Sequence, residues 1–257
     1  MKVVLLAGGL GTRMREETEF RPKPMVEIGG IPIIVHIMRS FALHGFTEFV
    51  ICAGYKKELM ENYFSSGNWN EEVERKFPLW GAESWKVEVS DTGAETPTGE
   101  RLWRVRDQLD GGSFLCAYGD GLAPVHIADL IKFHTQKGVC AAVTLAHPSS
   151  RFGIAELNGA GLVTGFREKP ILDELVSIGF FVFSPEIFSY IERDSVLETA
   201  PLSLLAEQGQ LSGFVHQGFW HPIDTYRELL IMQRHWESGS PPWHEPVGNG
   251  YNFSPED

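Results

Sequence analysis

The sequence predicts an α/β fold, in which a Rossmann-like, mainly parallel mixed sheet is flanked by helices. Short apolar runs alternate with helical apolar patterns through the first 150 residues, which is typical of parallel strands joined by crossover helices. The first apolar run leads directly into a glycine-rich loop. With 257 residues and 43% apolar content, the chain can also bury a sizeable core.

The first half is predicted to alternate between strands and helices. The helix at 32–44 has the clearest signals, since Pro32 suits a first helical position and Ile33, Ile37 and Phe41 share one face. The predicted strands of this half span residues 3–7, 49–53, 86–89, 114–118 and 140–146. The predicted helices span residues 32–44, 56–64, 101–109 and 128–136.

After residue 150 the predicted strands become shorter, and we place a soft boundary there. The chain is thus expected to divide into residues 1–150, a smaller α+β portion at 151–240 of the same domain, and an irregular tail at 241–257. The tail is expected to be irregular because Gly and Pro are frequent from Ser238 onward. In the second portion, strands are predicted at 153–156, 163–168 and 176–183, and helices at 185–191, 201–208 and 225–236.

The net charge and the cysteine pattern indicate which partners and which cellular compartment to expect. A formal charge of −12 disfavours nucleic acid and anionic membranes as partners. Cys52, Cys116 and Cys140 form no CxxC motif and are odd in number, which indicates a reducing, cytoplasmic compartment. The apolar start at residues 1–7 is too short for a secretion signal and is expected to be the first strand.

The loop Gly8-Gly9-Leu10-Gly11-Thr12-Arg13 is the first candidate site. Glycines let backbone N–H groups approach phosphate oxygens, and an arginine can bind phosphate with two hydrogen bonds. The GxGxxG dinucleotide pattern fails because Met14 occupies its third glycine position, and Gly-Lys-Ser/Thr of the P-loop is absent. Taken alone, the loop could also be an ordinary tight turn.

A second motif, Arg21-Pro22-Lys23-Pro24, follows the loop closely. Two prolines fix the backbone around Lys23, which is an unusual arrangement for a lysine that is merely solvated. Placing this lysine at a leaving phosphate would explain it.

Together the two motifs resemble the signature of the sugar-1-phosphate nucleotidylyltransferases, which have the nucleotide-diphospho-sugar transferase fold. The resemblance extends to about residue 240. It continues through Tyr118-Gly119-Asp120-Gly121, Glu168-Lys169-Pro170, Gly179-Phe180-Phe181-Val182 and Asp224-Thr225. Within the family the sequence most resembles the glucose-1-phosphate cytidylyltransferases, through stretches that include Glu16-Glu17-Thr18, Asp91-Thr92-Gly93, Thr98-Gly99 with Arg101, Arg151-Phe152-Gly153 and Gly218-Phe219-Trp220.

This resemblance implies an enzyme that joins CTP to glucose 1-phosphate, with Mg²⁺ as cofactor and pyrophosphate as the second product. It also implies a nucleotide-binding first half, an acceptor-binding second half, and a homo-oligomer whose contacts could involve segments 62–85 and 197–210. The implied catalytic residues are Arg13, Lys23, Asp120 and Lys169. The implied nucleotide-binding residues are Leu6, Ala7, Gly8, Gly9, Gly11, Thr12, Arg13, Lys23, Gly99, Arg101, Gly119 and Asp120. The implied acceptor-binding residues are Arg151, Gly153, Glu168, Lys169 and Ser177.

Asp120 and Asp224 are the implied metal ligands. Hard carboxylate oxygens suit Mg²⁺, which usually takes one or two protein carboxylates besides phosphate and water. Each aspartate also has an ordinary structural interpretation, Asp120 as a turn residue and Asp224 as a helix N-cap. The histidines have no metal-like spacing.

The sequence departs from the cytidylyltransferase pattern in the acceptor half. Ser177-Ile178-Gly179-Phe180-Phe181 stands where an Asn-Gly-Gly-Phe-Phe pattern is expected, and Ala200-Pro201-Leu202-Ser203 replaces Glu-Pro-Leu-Glu. Loss of a hydroxyl-binding group can shift specificity strongly. Three alternatives therefore stay open: a different phosphorylated or phosphonate acceptor, a different nucleoside triphosphate, and a non-catalytic sensor of nucleotide sugars.

Overall fold

Strand β1 (Val3–Leu6) lies at the centre of the fold, and its side chains alternate between two apolar cores. Val3 and Leu5 belong to one core, whereas Val4 and Leu6 belong to the other. Successive side chains of a strand point to opposite faces of the sheet, so the sheet is buried on both sides. The computed structural model describes residues 1–9, 11–78 and 80–244.

The main sheet has seven strands in the order β12-β8-β11-β6-β1-β4-β5. Only β11 runs antiparallel to its neighbours β6 and β8, and the other pairings are parallel. The predicted mainly parallel mixed sheet is thus confirmed. Besides β1, its strands are β4 (Glu48–Ala53), β5 (Lys86–Asp91), β6 (Phe114–Tyr118), β8 (Ala141–Ala146), β11 (Val176–Phe183) and β12 (Leu211–Val215).

Helices cover both faces of this sheet. Ile37 of α2 and Met232 of α8 pack in the first core, whereas Leu102 of α5 and Leu205 of α7 pack in the second. The helices are α1 (Arg15–Thr18), α2 (Ile33–Ala42), α3 (Lys57–Ser65), α4 (Trp69–Lys76), α5 (Thr98–Val105), α6 (Ile127–Lys137), α7 (Ala200–Glu207) and α8 (Tyr226–Glu237).

Within the described residues, three two-stranded units complete the fold. The hairpin β2 (Glu27–Ile28) and β3 (Ile31–Pro32) precedes α2. The pair β7 (Gly121–Leu122) and β13 (His221–Pro222) joins the segments that carry Asp120 and Asp224. The antiparallel ribbon β9 (Ile154–Leu157) and β10 (Val163–Arg167) projects after residue 150.

Two predicted elements differ from those observed in helix type or by more than two residues at their start. Residues 185–191 were predicted as an α-helix, but Pro185–Ser189 form a 3₁₀ helix. The helix predicted at 101–109 begins earlier, at Thr98, and tightens to 3₁₀ geometry at Arg106–Gln108. Pro97 precedes its first residue and cannot continue a helix backwards, because proline lacks an N–H and clashes with the preceding turn.

The two portions on either side of residue 150 share the main sheet, since β11 and β12 pair with β6 and β8. In the tail, Pro242–His244 form a 3₁₀ turn with Trp243 buried, and residues 245–257 of the predicted tail lie outside the described residues. Among the described residues, no helix combines the length and apolar character needed to cross a membrane.

Candidate active site

A cleft of about 490 Å³ opens at the carboxyl ends of β1 and β6. Ligands of open α/β sheets commonly bind at this edge, outside the ends of the parallel strands. Eleven of the twelve predicted nucleotide-binding residues line the cleft, namely Leu6, Ala7, Gly8, Gly9, Gly11, Thr12, Arg13, Lys23, Arg101, Gly119 and Asp120. The twelfth, Gly99, does not line it, and its N–H donates to the carbonyl of Ser195 at 3.0 Å.

Lys23 lies at the centre of a charge cluster in this cleft. Its Nζ donates to Asp120 Oδ2 at 2.7 Å and to Asp224 Oδ1 at 2.8 Å. The lysine follows Pro22 in a short 3₁₀ turn, and it is 8% exposed. Because burying a charge without a partner is costly, the two carboxylates explain how this lysine is tolerated. The three residues meet although 97 and 201 positions separate them along the chain.

Three basic side chains lie within 4 Å of the Asp224 carboxylate. Arg13 Nη1 donates to Asp224 Oδ2 at 2.8 Å, and Arg151 Nη2 lies 3.9 Å from the same oxygen. Burial raises the pKa of Asp224, but the hydrogen bond and charge of Lys23, with Arg13 and Arg151, outweigh burial and hold this pKa below its ordinary value. Asp224 is therefore ionised at neutral pH.

The start of α8 fixes the backbone of Asp224. The Glu228 side chain accepts hydrogen bonds from the N–H groups of Asp224 and Thr225, both at 2.7 Å, and the Thr225 hydroxyl accepts from Glu228 N. This is a capping box, in which two side chains satisfy the free donors of a helix start. The N-cap residue is Thr225, so the structural interpretation of Asp224 as the N-cap is wrong by one residue.

Arg101 binds the backbone of the glycine-rich loop and is only 3% exposed. Its guanidinium donates to the carbonyls of Gly8 at 3.1 Å and Gly93 at 2.7 Å, and to the Thr92 hydroxyl at 2.7 Å. Burial lowers the pKa of Arg101. A Cβ on Gly8 would lie 1.9 Å from Arg101 Nη1, so this position needs glycine for the close approach of the arginine.

Glu198 is a carboxylate of the cleft that the sequence did not predict. The Tyr118 hydroxyl and the Thr98 hydroxyl both donate to Glu198, the latter at 2.6 Å, and all three residues line the cleft. Burial, followed by the charge of Glu198, raises the pKa of Tyr118. Glu198 lies outside any motif, and no local pattern could have identified it. By contrast, Thr225-x-x-Glu228 matches the capping-box pattern and could have identified Glu228.

Apart from Arg151, the predicted acceptor residues lie away from this cluster, at the base of the β9–β10 ribbon and on β11. Ser150 N donates to the Pro170 carbonyl at 2.8 Å, which closes the base of the ribbon. There a Cβ on Gly153 would lie 2.9 Å from Glu168 Oε2, and Lys169 has a positive φ of 45°. Ser177 on β11 is exposed. Arg151 reaches Asp224 and Glu228, whereas the described lining of the cleft includes none of Gly153, Glu168, Lys169 and Ser177.

Asp120 and Asp224 offer a donor set that fits a hard divalent cation. Their Oδ2 and Oδ1 atoms contact the same Lys23 nitrogen, so one positive centre can reach both. Within the described ranges, no group of three or more His, Cys, Asp or Glu could hold a metal ion. Mg²⁺ suits two carboxylates, because phosphate and water complete its octahedral shell.

Comparisons with known proteins identify relatives of this chain. The sequence model of the family described as "Nucleotidyl transferase" matches residues 2–237. The glucose-1-phosphate cytidylyltransferase of Salmonella typhimurium is 44% identical over 254 residues, which cover 95% of this chain and 98% of that protein. A mannose-1-phosphate guanyltransferase of Neurospora crassa is 28% identical over 90% of this chain and 62% of its own length.

Solved structures show the same fold at lower sequence identity. A UDP-glucose pyrophosphorylase complexed with UDP-glucose aligns with a TM-score of 0.70 at 16% identity. The alignment covers 93% of this chain and 98% of that chain.

Proposed function

Because this chain belongs to the nucleotidyl transferase family, we propose that it condenses CTP with glucose 1-phosphate to give CDP-glucose and pyrophosphate. The observation that carries the proposal is the pairing of near full-length similarity to the Salmonella cytidylyltransferase with the cluster of Lys23, Asp120 and Asp224 in the cleft. Similarity indicates the substrates, and the cluster supplies the charges that a transfer between phosphates requires.

In the proposed reaction, an oxygen of the acceptor phosphate attacks the α-phosphorus of CTP in line. The new P–O bond forms as the bond from the α-phosphorus to the bridging oxygen breaks, and pyrophosphate leaves with the bond's electron pair. A phosphate dianion is already nucleophilic at neutral pH, so no protein nucleophile is needed. The protein contributes positioning and charge neutralisation.

The triphosphate is proposed to lie along the glycine-rich loop. Gly8, Gly9, Gly11 and Thr12 line the cleft, and backbone N–H groups of such a loop suit phosphate oxygens. Arg13 and Lys23 would neutralise charge that develops on pyrophosphate. The base would rest against residues 6–9, near Gly99 and Arg101.

A divalent cation, Mg²⁺ in our proposal, would be held by Asp120 and Asp224. When bound there it would neutralise negative charge on the two reacting phosphates. Lys23 occupies the space between these carboxylates, and we propose that it exchanges them for phosphate oxygens when CTP arrives. The lysine would thus keep the aspartates compensated in the empty cleft.

The acceptor is proposed to bind between the cluster and the β9–β10 ribbon. Lys169 would orient the acceptor phosphate, Glu168 would contact sugar hydroxyls, and Arg151, Gly153 and Ser177 would complete the pocket. Ser177 and Ala200 stand where the cytidylyltransferase pattern has other residues, which keeps a different phosphorylated or phosphonate acceptor as an outcome of the test.

We also propose a cytoplasmic homo-oligomer. The three cysteines are free thiols, all buried, which suits a reducing compartment. The predicted contact segments, 62–85 and 197–210, remain candidates, and light scattering measures the oligomeric state.

Pyrophosphate release tests the function directly. The purified chain is incubated with Mg²⁺ and one nucleoside triphosphate, which is CTP, UTP, GTP, ATP or dTTP. Each triphosphate is paired in turn with several sugar 1-phosphates, other phosphate esters and phosphonates. The products are identified by mass spectrometry. We expect the fastest release with CTP and glucose 1-phosphate, and the Asp224→Asn variant is the matched inactive control. Faster release with another pair would reassign the substrates. No release with any pair, together with binding of a nucleotide sugar, would favour a sensor.

A further inference from the structure

Glu228 makes more contacts than a helix cap requires. Its Oε2 accepts from the N–H groups of Asp224 and Thr225, and its Oε1 lies 3.3 Å from Arg151 Nη2. The carboxylate is therefore shared between the backbone of the predicted metal ligand and a side chain of the predicted acceptor segment. Its side chain is 15% exposed, so water screens these contacts only in part.

Arg151 has two carboxylates within reach, and the nearer one is Glu228. The same Nη2 atom is 3.3 Å from Glu228 Oε1 and 3.9 Å from Asp224 Oδ2. Arg13 and Lys23 already contact Asp224 at 2.8 Å each. If Glu228 carried no charge, Asp224 would be the only one of these two carboxylates left to pair with Arg151.

We propose that Glu228 is a positioning residue that holds Arg151 away from Asp224 and thereby keeps Asp224 available to a divalent cation. The inference rests on the proposed function, which places that cation on Asp120 and Asp224. Glu228 acts through two bonds to backbone N–H groups, which orient Asp224, and through one ion pair, which limits how closely Arg151 approaches Asp224. Outer-shell partners of this kind commonly change metal affinity by roughly 10- to 100-fold.

A purely structural role makes a different prediction. Glu228→Gln keeps an oxygen that can accept from the capped N–H groups but removes the charge that holds Arg151. Thr225→Ala removes the other half of the capping box and leaves the Arg151 pair in place. If Glu228 were only a cap, Glu228→Gln would weaken metal binding no more than Thr225→Ala does.

The test measures Mn²⁺ binding by electron paramagnetic resonance, without turnover. Each variant is titrated in the presence of a CTP analogue with a methylene bridge between the α- and β-phosphates. We expect Glu228→Gln to weaken Mn²⁺ binding by roughly tenfold or more. In an Arg151→Met background the same substitution should change it by less than about threefold, because the competing guanidinium is gone.

Two controls accompany this cycle. Glu237→Gln makes the same charge change at the far, exposed end of α8, and Thr225→Ala disturbs the cap alone. Both should bind Mn²⁺ like wild type, and thermal unfolding verifies that every variant folds.

The outcomes separate the inference from the function it rests on. Equal losses for Glu228→Gln in both backgrounds, or a loss for Glu228→Gln that does not exceed the loss for Thr225→Ala, would overturn the positioning role in favour of a cap. Unchanged binding in Glu228→Gln would also overturn it while the proposed function stands. If wild type with the analogue bound no Mn²⁺, the proposed metal site itself would fail, and this inference with it.

Discussion

The two ends of the proposed site are built differently. At the triphosphate end, the side chains of Lys23 and Asp224 are 10% and 14% exposed and contact each other directly. Directly after β10, at the base of the β9–β10 ribbon, the side chains of Glu168 and Lys169 are 65% and 48% exposed, and their nearest charged atoms are 3.8 Å apart. We call the first the braced end, because Lys23 and Asp224 are largely buried there; at the other end both charges are exposed to water.

Because of this difference in burial, we expect the two ends to have different roles. Charges fixed in a partly buried cleft are already oriented when a transition state forms, so they lower the barrier without reorganisation. Exposed charges are screened and contribute little until a ligand covers them. Substitutions at the braced end should therefore change the rate, and substitutions on the ribbon should change the affinity for the acceptor.

Lys23→Ala should have the largest effect. It removes the cation proposed to neutralise the leaving pyrophosphate and leaves Asp120 and Asp224 facing each other without their shared lysine. We expect kcat to fall by about 10²- to 10³-fold, as is usual when a preorganised charge-stabilising donor is lost. Pyrophosphate release at saturating substrates measures it, with the exposed Lys86→Ala variant as control. If only KM changed, the braced end would be a binding feature.

Much of this architecture could be predicted from local sequence. The central strands β1, β4 and β6 are continuous apolar runs, and α2 has an unbroken apolar face. The edge strand β12 was missed. It exposes part of its length and contains Gly213, so it lacks the apolar run that marks a buried strand.

The site was less accessible to sequence reasoning than the fold. The motifs predicted Lys23, Asp120 and Asp224 as site residues, but the bridge that Lys23 forms between the aspartates depends on contacts across 97 and 201 residues. Such contacts are set by the order of strands in the sheet, and residue spacing does not reveal them. Glu198 was missed for the same reason.

Acid pH should destabilise the folded protein through His36 of α2, which packs against α8. His36 is buried against Trp236 of α8, and its Nε2 lies 3.0 Å from the Ile28 carbonyl. Burial lowers the pKa of His36 to about 4, from 6.5. Between pH 6.5 and pH 4, His36 is therefore protonated in the unfolded chain but still neutral in the folded protein. The free energy of unfolding falls as the pH falls through this range.

At pH 5 this single group should cost about 2 kcal/mol of the free energy of unfolding relative to neutral pH. Urea denaturation of wild type and His36→Asn at pH 7 and pH 5 measures the effect. The variant should lose about that much less on acidification, whatever its stability at pH 7. Equal losses in both proteins would mean that His36 is not held neutral by the fold.

Lys169→Met should have the smallest effect, and it tests the exposed end directly. Lys169 adopts a left-handed backbone conformation, which costs a non-glycine residue about 1–3 kcal/mol and is commonly retained where function requires it. The ion pair of Lys169 with Glu168 does not offset this cost, because the pair is long and exposed. We therefore expect methionine, which keeps most of the length but not the charge, to raise KM for the acceptor about tenfold, or about 1.4 kcal/mol. KM for CTP should stay unchanged. Initial-rate kinetics with each substrate varied in turn, and Lys132→Met on the exposed face of α6 as control, separate the two constants. A loss confined to kcat would place Lys169 with the braced charges, and the division of work between the two ends would then be wrong.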